Sequence, residues 1–254
     1  MPPSTVDAIP LVPGQLWTLH ASGNRFLGLM EIYNNALIVR VPSGLVVVNP
    51  PSSCPRYIAA VRRLSEAVGA SVCALFSPGD WHHLYLSAWA AAFGDARLYV
   101  ASDRVLKKQP GLQGRAVVLS REGPSVPELE PYCTLLPWLG SKQPPRLLGG
   151  DRSGTARVEH LVFHNPSRTL FVTDHVMGPG LMGDSITANK GGFSHQSGEG
   201  AALRASAQRV LGAAPCRIVF SHGHRGAFIM GDGTAEAGVE IRAQLAKAYR
   251  FFGL

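Results

Sequence analysis

Ala74-Leu75-Phe76-Ser77-Pro78-Gly79-Asp80-Trp81-His82-His83 joins a strand-like apolar run to an Ala-rich helical run, Leu84 to Phe93, through a Pro-Gly loop. Imidazoles where a strand ends, with a carboxylate two positions upstream of the first, are the donors that a metal site on an α/β scaffold uses. The strand itself is predicted over Val72 to Phe76, and the next one over Arg97 to Ala101. Strand, loop, helix and strand in that order form a βαβ unit. Such a unit requires parallel pairing and places the histidine loop at the carboxyl end of the sheet, where open α/β sheets bind ligands.

Upstream, Gln15 to His20, Phe26 to Ile32, Ala36 to Val41 and Gly44 to Asn49 read as a meander, with Pro42-Ser43-Gly44 as the turn between the last two. A helix follows over Pro55 to Val68, capped by Ser52 or Ser53, with proline in its first turn and Ile58, Val61, Leu64 and Val68 at helical spacing. Residues 109–150 are rich in proline, glycine and short apolar stretches, a pattern of loop with short strands such as Ala116 to Leu119.

Downstream, Val158 to Phe163 and Thr169 to Val176 form a hairpin through Asn165-Pro166-Ser167-Arg168. A turn centred on Pro166 and Ser167 sets His164 opposite Thr169 and Glu159 opposite Asp174, with His160 on the other face. Directly opposed side chains have Cβ atoms about 5 Å apart, so Glu159 and Asp174 are expected to converge. Residues 177–200 carry many glycines, the composition of a loop that could act as a lid. A helix from Ala201 to Leu211, a strand from Cys216 to Phe220 ending at Ser221-His222-Gly223-His224, and a helix from Thr234 to Phe251 complete the chain.

A chain of 254 residues, 46% hydrophobic, can bury a substantial core. Its formal charge of +7 comes from singly spread arginines, and no aromatic residues interleave with the tight basic pairs Arg62-Arg63 and Lys107-Lys108. That pattern describes solvated helix faces rather than a nucleic-acid surface, while leaving room for an acidic small substrate. Cys54, Cys73, Cys133 and Cys216 have no paired spacing and read as reduced thiols. The first residues lack a secretory pattern and no apolar run reaches about 18 residues, so the expected setting is cytoplasmic, with no membrane partner.

Strand ends therefore carry Asp80, His82, His83, Asp174 and His222. Together with Ala36 to Arg40, Gly44 to Pro50, Leu170-Phe171-Val172-Thr173-Asp174 and Val219 to Gly223, they make the chain resemble the metallo-β-lactamase-like superfamily. The resemblance implies a single domain over residues 1–254, an α/β fold built as a four-layer αββα sandwich, and hydrolysis by a metal-activated water. The family's HxHxDH motif is only partly matched. With His83 in the last position, Pro78 stands at the first His, Asp80 at the second and His82 at the Asp. Asp174 matches the bridging Asp, after Thr173 instead of Gly, and His222 the final His; the third His has no counterpart near Gly154 or Thr155. The resemblance implies one divalent ion, zinc first and iron or manganese as alternatives, on His82, His83, Asp174 and His222. Asp80 or Glu159 would serve as an added ligand or general base. His20, His160, His164, His175, His195 and His224 are expected to be hydrogen-bonded or exposed rather than ligating, with His175 and His224 beside the expected ligands and placed to support them. The expected activity is hydrolysis of a small ester, lactone, thioester or phosphoester. The alternative is an inactive form of the fold that serves as a binding or scaffold module.

Overall fold

A computed structural model describes residues 6–21, 25–26, 30–31, 33–52, 54–119, 125–130, 132–141, 157–179, 185–188, 200–222 and 228–250. The chain divides into two compact units, Met1–Pro131 and Tyr132–Leu254.

The first unit opens with strands β1 (Ile9–Val12) and β2 (Leu16–Leu19), then a two-residue pair, β3 (Arg25–Phe26) with β4 (Met30–Glu31). Most of the expected strand Phe26 to Ile32 lies outside the described residues. β5 (Ala36–Val41) and β6 (Gly44–Val48) follow, then α1 (Pro55–Val68), β7 (Val72–Ser77), α2 (Leu86–Ala92), β8 (Arg97–Val100), α3 (Asp103–Lys108) and β9 (Ala116–Val118). One seven-stranded sheet has the order β1-β2-β5-β6-β7-β8-β9. Pairing is antiparallel through β6 and parallel from β6 to β9, as the βαβ reading requires. All five residues of β6 are buried, as are Leu75 and Phe76 of β7, and Leu45, Val47 and Leu75 share one apolar core with Tyr57, Val61 and Trp89 from α1 and α2.

The ends of α1 show how locally the sequence acts. Pro55 occupies the first turn, where its missing N–H is no loss, and Gly69 closes the helix in the left-handed conformation at φ 61°. The expected serine cap is replaced by Cys54, whose side chain makes no capping hydrogen bond. Gly44 is required twice over. Its φ is 142°, and a Cβ there would lie 2.2 Å from the Ser71 carbonyl oxygen, a backbone atom fixed in the entry to β7. Gly44→Ala is expected to lower unfolding stability by more than about 1 kcal/mol, measured by urea denaturation, because strain and a backbone clash coincide.

The second unit begins with β10 (Cys133–Trp138), β11 (Glu159–His164) and β12 (Thr169–Val172). After β13 (Val176–Met177) and β14 (Thr187–Ala188) come α4 (Gly200–Ala213), β15 (Arg217–Phe220), β16 (Ile229–Met230) and α5 (Ala235–Tyr249). Its five-stranded sheet runs β10-β11-β12-β15-β16, with β12 and β15 parallel. The hairpin register matches the expectation: His164 pairs with Thr169, Phe163 with Leu170 and Val162 with Phe171. Leu161, Leu170, Val172, Ile218 and Phe220 form a core with Leu203, Val210, Leu245 and Tyr249 from α4 and α5. β13 and β14 pair at the base of the glycine-rich segment, most of which lies outside the described residues. The four cysteines are free, and among the described residues no helix is long and apolar enough to cross a membrane.

Candidate metal centre

In the first unit the chain leaves β7 at Ser77 and turns back at once. The Ser77 hydroxyl donates to the His82 carbonyl at 2.6 Å, and the His82 amide donates to the Gly79 carbonyl at 3.2 Å. This knot delays α2 to Leu86, two residues later than expected, and the helix has no side-chain cap at Tyr85. Asp80, His82 and His83 are consequently buried, at 3%, 7% and 7% exposure. Asp80 does not cap α2. Its Oδ1 accepts a short hydrogen bond from the Ser102 hydroxyl at the end of β8, and the same hydroxyl oxygen accepts from the Arg104 amide as the N-cap of α3.

Ser102 therefore couples a helix cap to the histidine loop. Ser102→Ala is expected to remove about 1 kcal/mol of unfolding stability, mainly through the cap. The same variant should make the Asp80 to His83 amides exchange faster in hydrogen-exchange measurements.

His83 Nδ1 is a buried nitrogen with no hydrogen-bond partner. Burial pulls the pKa of this imidazole down to about 4, the positive charge of Lys108 adds to the effect, and the Asp80 backbone opposes it. A neutral, buried imidazole with an open lone pair is the form of histidine that coordinates a metal.

In the second unit, β12 and β15 are hydrogen-bonded neighbours in parallel, so residues just past their carboxyl ends stand side by side. Asp174 and His222 are those residues. The Ser221 amide donates to the Val172 carbonyl at 2.8 Å and the Gly178 amide to the His222 carbonyl at 3.1 Å, which fixes both turns. The Asp174 Oδ1 and His222 Nε2 atoms are 3.2 Å apart, with side chains 6% and 17% exposed. Zinc bonds of about 2.0–2.1 Å in a tetrahedron set neighbouring donor atoms about 3.3 Å apart, so this pair has the spacing of two ligands on one ion.

Glu159 meets Asp174 in a way the register alone did not foretell. The Glu159 side chain binds the main chain of the turn. Its Oε1 accepts from the amides of Thr173 at 3.0 Å and Asp174 at 3.1 Å, and its Oε2 accepts from the amide of His175 at 3.1 Å. His175 Nδ1 lies 3.1 Å from Oε1, and its Nε2 lies 3.3 Å from the Tyr249 hydroxyl on α5. Trp138 covers the His175 ring at a centroid distance of 4.2 Å and anchors its own Nε1–H on the Ser141 hydroxyl at 2.9 Å. Burial would raise the Glu159 pKa, but the adjacent His175 and these hydrogen bonds outweigh it and hold the carboxyl below its ordinary value. The partners of Glu159 are thus the 173–175 amides and His175, an arrangement for holding a turn rather than for taking a proton from substrate. The Asp174 carboxylate, a like charge nearby, works in the opposite direction and disfavours ionised Glu159.

Among the other histidines, His20 bonds Asn35 at 2.9 Å and His164 bonds the Ser167 hydroxyl at 2.7 Å, while His160 is buried. His195 and His224 lie outside the described residues. Sequence reasoning missed Tyr249 and Trp138, which come from a distant helix and from a strand that was not foreseen.

No family model matches the chain, and no curated protein matches it by sequence. Solved structures do. The metallo-β-lactamase FIM-1 from Pseudomonas aeruginosa, in its mono-zinc form, superposes with a TM-score of 0.61 over 95% of each chain at 16% identity. The chain has the metallo-β-lactamase fold. A metallo-β-lactamase from Erythrobacter litoralis gives a TM-score of 0.59 at 13% identity, covering 94% of this chain and 93% of the other. One from Hirschia baltica gives 0.58 at 14% identity, covering 94% and 98%. In this metallo-β-lactamase fold, the two large mixed sheets with their helices bear out the expected α/β class; Asp80, His82 and His83 follow a strand end in the first unit, and Asp174 and His222 follow strand ends in the second.

Proposed function

We propose that the protein is a metal-dependent hydrolase of a small ester, lactone, thioester or phosphoester. In this reading Asp174 and His222 hold one divalent ion, and His82 and His83 are the remaining ligands that the family resemblance implies. The observation that carries the proposal is the Asp174–His222 pair, its carboxylate buried and its imidazole partly exposed, set at ligand spacing by two adjacent parallel strands. Three imidazoles and a carboxylate suit zinc, with iron or manganese as alternatives. A single zinc is also what the mono-zinc FIM-1 structure, which shares the fold, contains.

When bound, the ion supplies a water activated near neutral pH and polarises the oxygen of a carbonyl or phosphoryl group. The protein's own groups do the rest. Asp80, tied to Ser102, keeps a carboxylate beside the histidines that can orient a water or accept its proton. The substrate in this reading is a small molecule, as the singly spread arginines of the sequence suggest.

Metal analysis of protein purified without added metal tests the proposal. It predicts about one equivalent of zinc, iron or manganese, lost together with hydrolysis of model esters on treatment with a chelator. Less than about half an equivalent, combined with no uptake of added zinc, would favour the binding-module reading of the fold instead.

A further inference from the structure

The geometry assigns Glu159 a positioning role: its buried carboxylate acts as an internal anion that shapes the Thr173-Asp174-His175 turn and so aims the Asp174 carboxylate at His222. The inference rests on Asp174 serving as a metal ligand, and it concerns how that ligand is held.

Three consecutive backbone amides, those of Thr173, Asp174 and His175, converge on the two oxygens of Glu159 at 3.0 to 3.1 Å. Consecutive N–H groups pointing into one concavity form an anion-binding nest, and such nests ordinarily receive a phosphate or another external anion. Here the anion is part of the chain, delivered by the first residue of β11, and its side chain is 3% exposed.

The turn needs such a partner. β12 ends at Val172, so the amides of residues 173–175 have left the strand ladder and are buried in the unit's interior. Without Glu159 they would be unsatisfied donors, each destabilising the turn, and Asp174 would lose the constraint on its backbone. A second layer then holds the carboxylate itself. His175 contacts Glu159 through Nδ1 and Tyr249 through Nε2, and Trp138 packs on the His175 ring. The chain from Tyr249 through His175 and Glu159 to the Asp174 amide links the end of α5 to the turn at the end of β12. Partners of this kind behind a metal ligand are typically worth about 10–100-fold in metal affinity.

Glutamine is the discriminating replacement. It keeps the volume and one acceptor but places an NH2 group where a carboxylate oxygen was, so in either orientation it opposes at least one N–H of the turn. In the full chain carrying Glu159→Gln, the amides of Thr173, Asp174 and His175 should exchange with deuterium at least about tenfold faster than in the wild type. The ladder amides of β11 and β12 should keep their rates. Zinc added to the metal-free protein and followed by calorimetry should bind about 10–100-fold more weakly.

Unchanged exchange at residues 173–175 would overturn the inference, and so would equal zinc affinity in the two proteins. Exchange that quickens throughout the second unit would also overturn it, since Glu159 would then be a general core residue. If the wild type takes up no zinc while the turn amides alone respond, Proposed function fails and the positioning of the turn stands.

Discussion

His222→Ala is expected to weaken zinc binding by more than about 100-fold and to abolish turnover of any ester that the wild type hydrolyses, because a ligand should matter more than the partners behind it. The fold should survive. His222 is partly exposed and lies beyond the end of β15, so its removal leaves the sheet core of Phe171, Val172, Val219 and Phe220 untouched. Asp174→Asn should produce a similar loss of affinity while keeping shape, since the amide has neither the charge nor both acceptor oxygens of the carboxylate. Thermal unfolding with and without zinc separates binding from folding. At a zinc concentration about 100 times its dissociation constant, the wild type should gain about 2.7 kcal/mol of stability. Both variants should gain almost nothing at that concentration, and an equal gain would show that the ion binds elsewhere.

Acid should destabilise the protein well before ordinary carboxylates titrate. Burial lowers the pKa of His20 to about 4, despite its bond to Asn35, and lowers that of His83 to a similar value. His164 shifts in the same direction for the same reason. An imidazole whose folded pKa is depressed binds its proton more readily when the chain is unfolded, so stability falls as pH drops from about 6.5 toward 4. His20 alone should contribute on the order of 2 kcal/mol to the loss at pH 4.5, and His83 less. Glu159 acts in a lower window. Its folded pKa is below the ordinary value, so the stability it contributes is present above about 4.5 and disappears as pH falls further. Urea midpoints measured from pH 7.5 to 4 should slope downward, and His20→Gln, which can still donate to Asn35, should flatten the upper part of that slope. A midpoint constant from pH 7 to 4.5 in the wild type would contradict the burial of these rings.

Where local rules act without competition, the structure repeats what the residues announce. Pro55 and Gly69 bound α1 at both ends, and the Asn165 to Arg168 turn sets the register of β11 on β12. The βαβ order around the histidine loop made β7 and β8 parallel. The unread parts have physical causes. β10 carries Pro137, a residue that cannot donate to a ladder and therefore argues against a central strand. It is tolerated because β10 is at the edge of its sheet. The closeness of Asp174 and His222 was legible because each follows the end of an apolar strand. The function of Glu159 was not, because register fixes which residue is opposite but not whether a carboxylate turns toward a side chain or toward amides. Tyr249 comes from α5, far along the chain, and no local pattern ties a helical tyrosine to a turn 74 positions away.

The parallel pairing of β12 and β15 separates two properties that are often entangled. The distance between Asp174 and His222 is set by ladder hydrogen bonds from Thr169–Arg217 to Val172–Phe220, and the long segment that connects the strands takes no part in that ladder. Changes in the sequence between the strands that spare the Gly178 amide and the core residues of α4 should therefore leave the spacing of the two donor atoms intact. The ladder, rather than the length of the connection, is what the pair inherits.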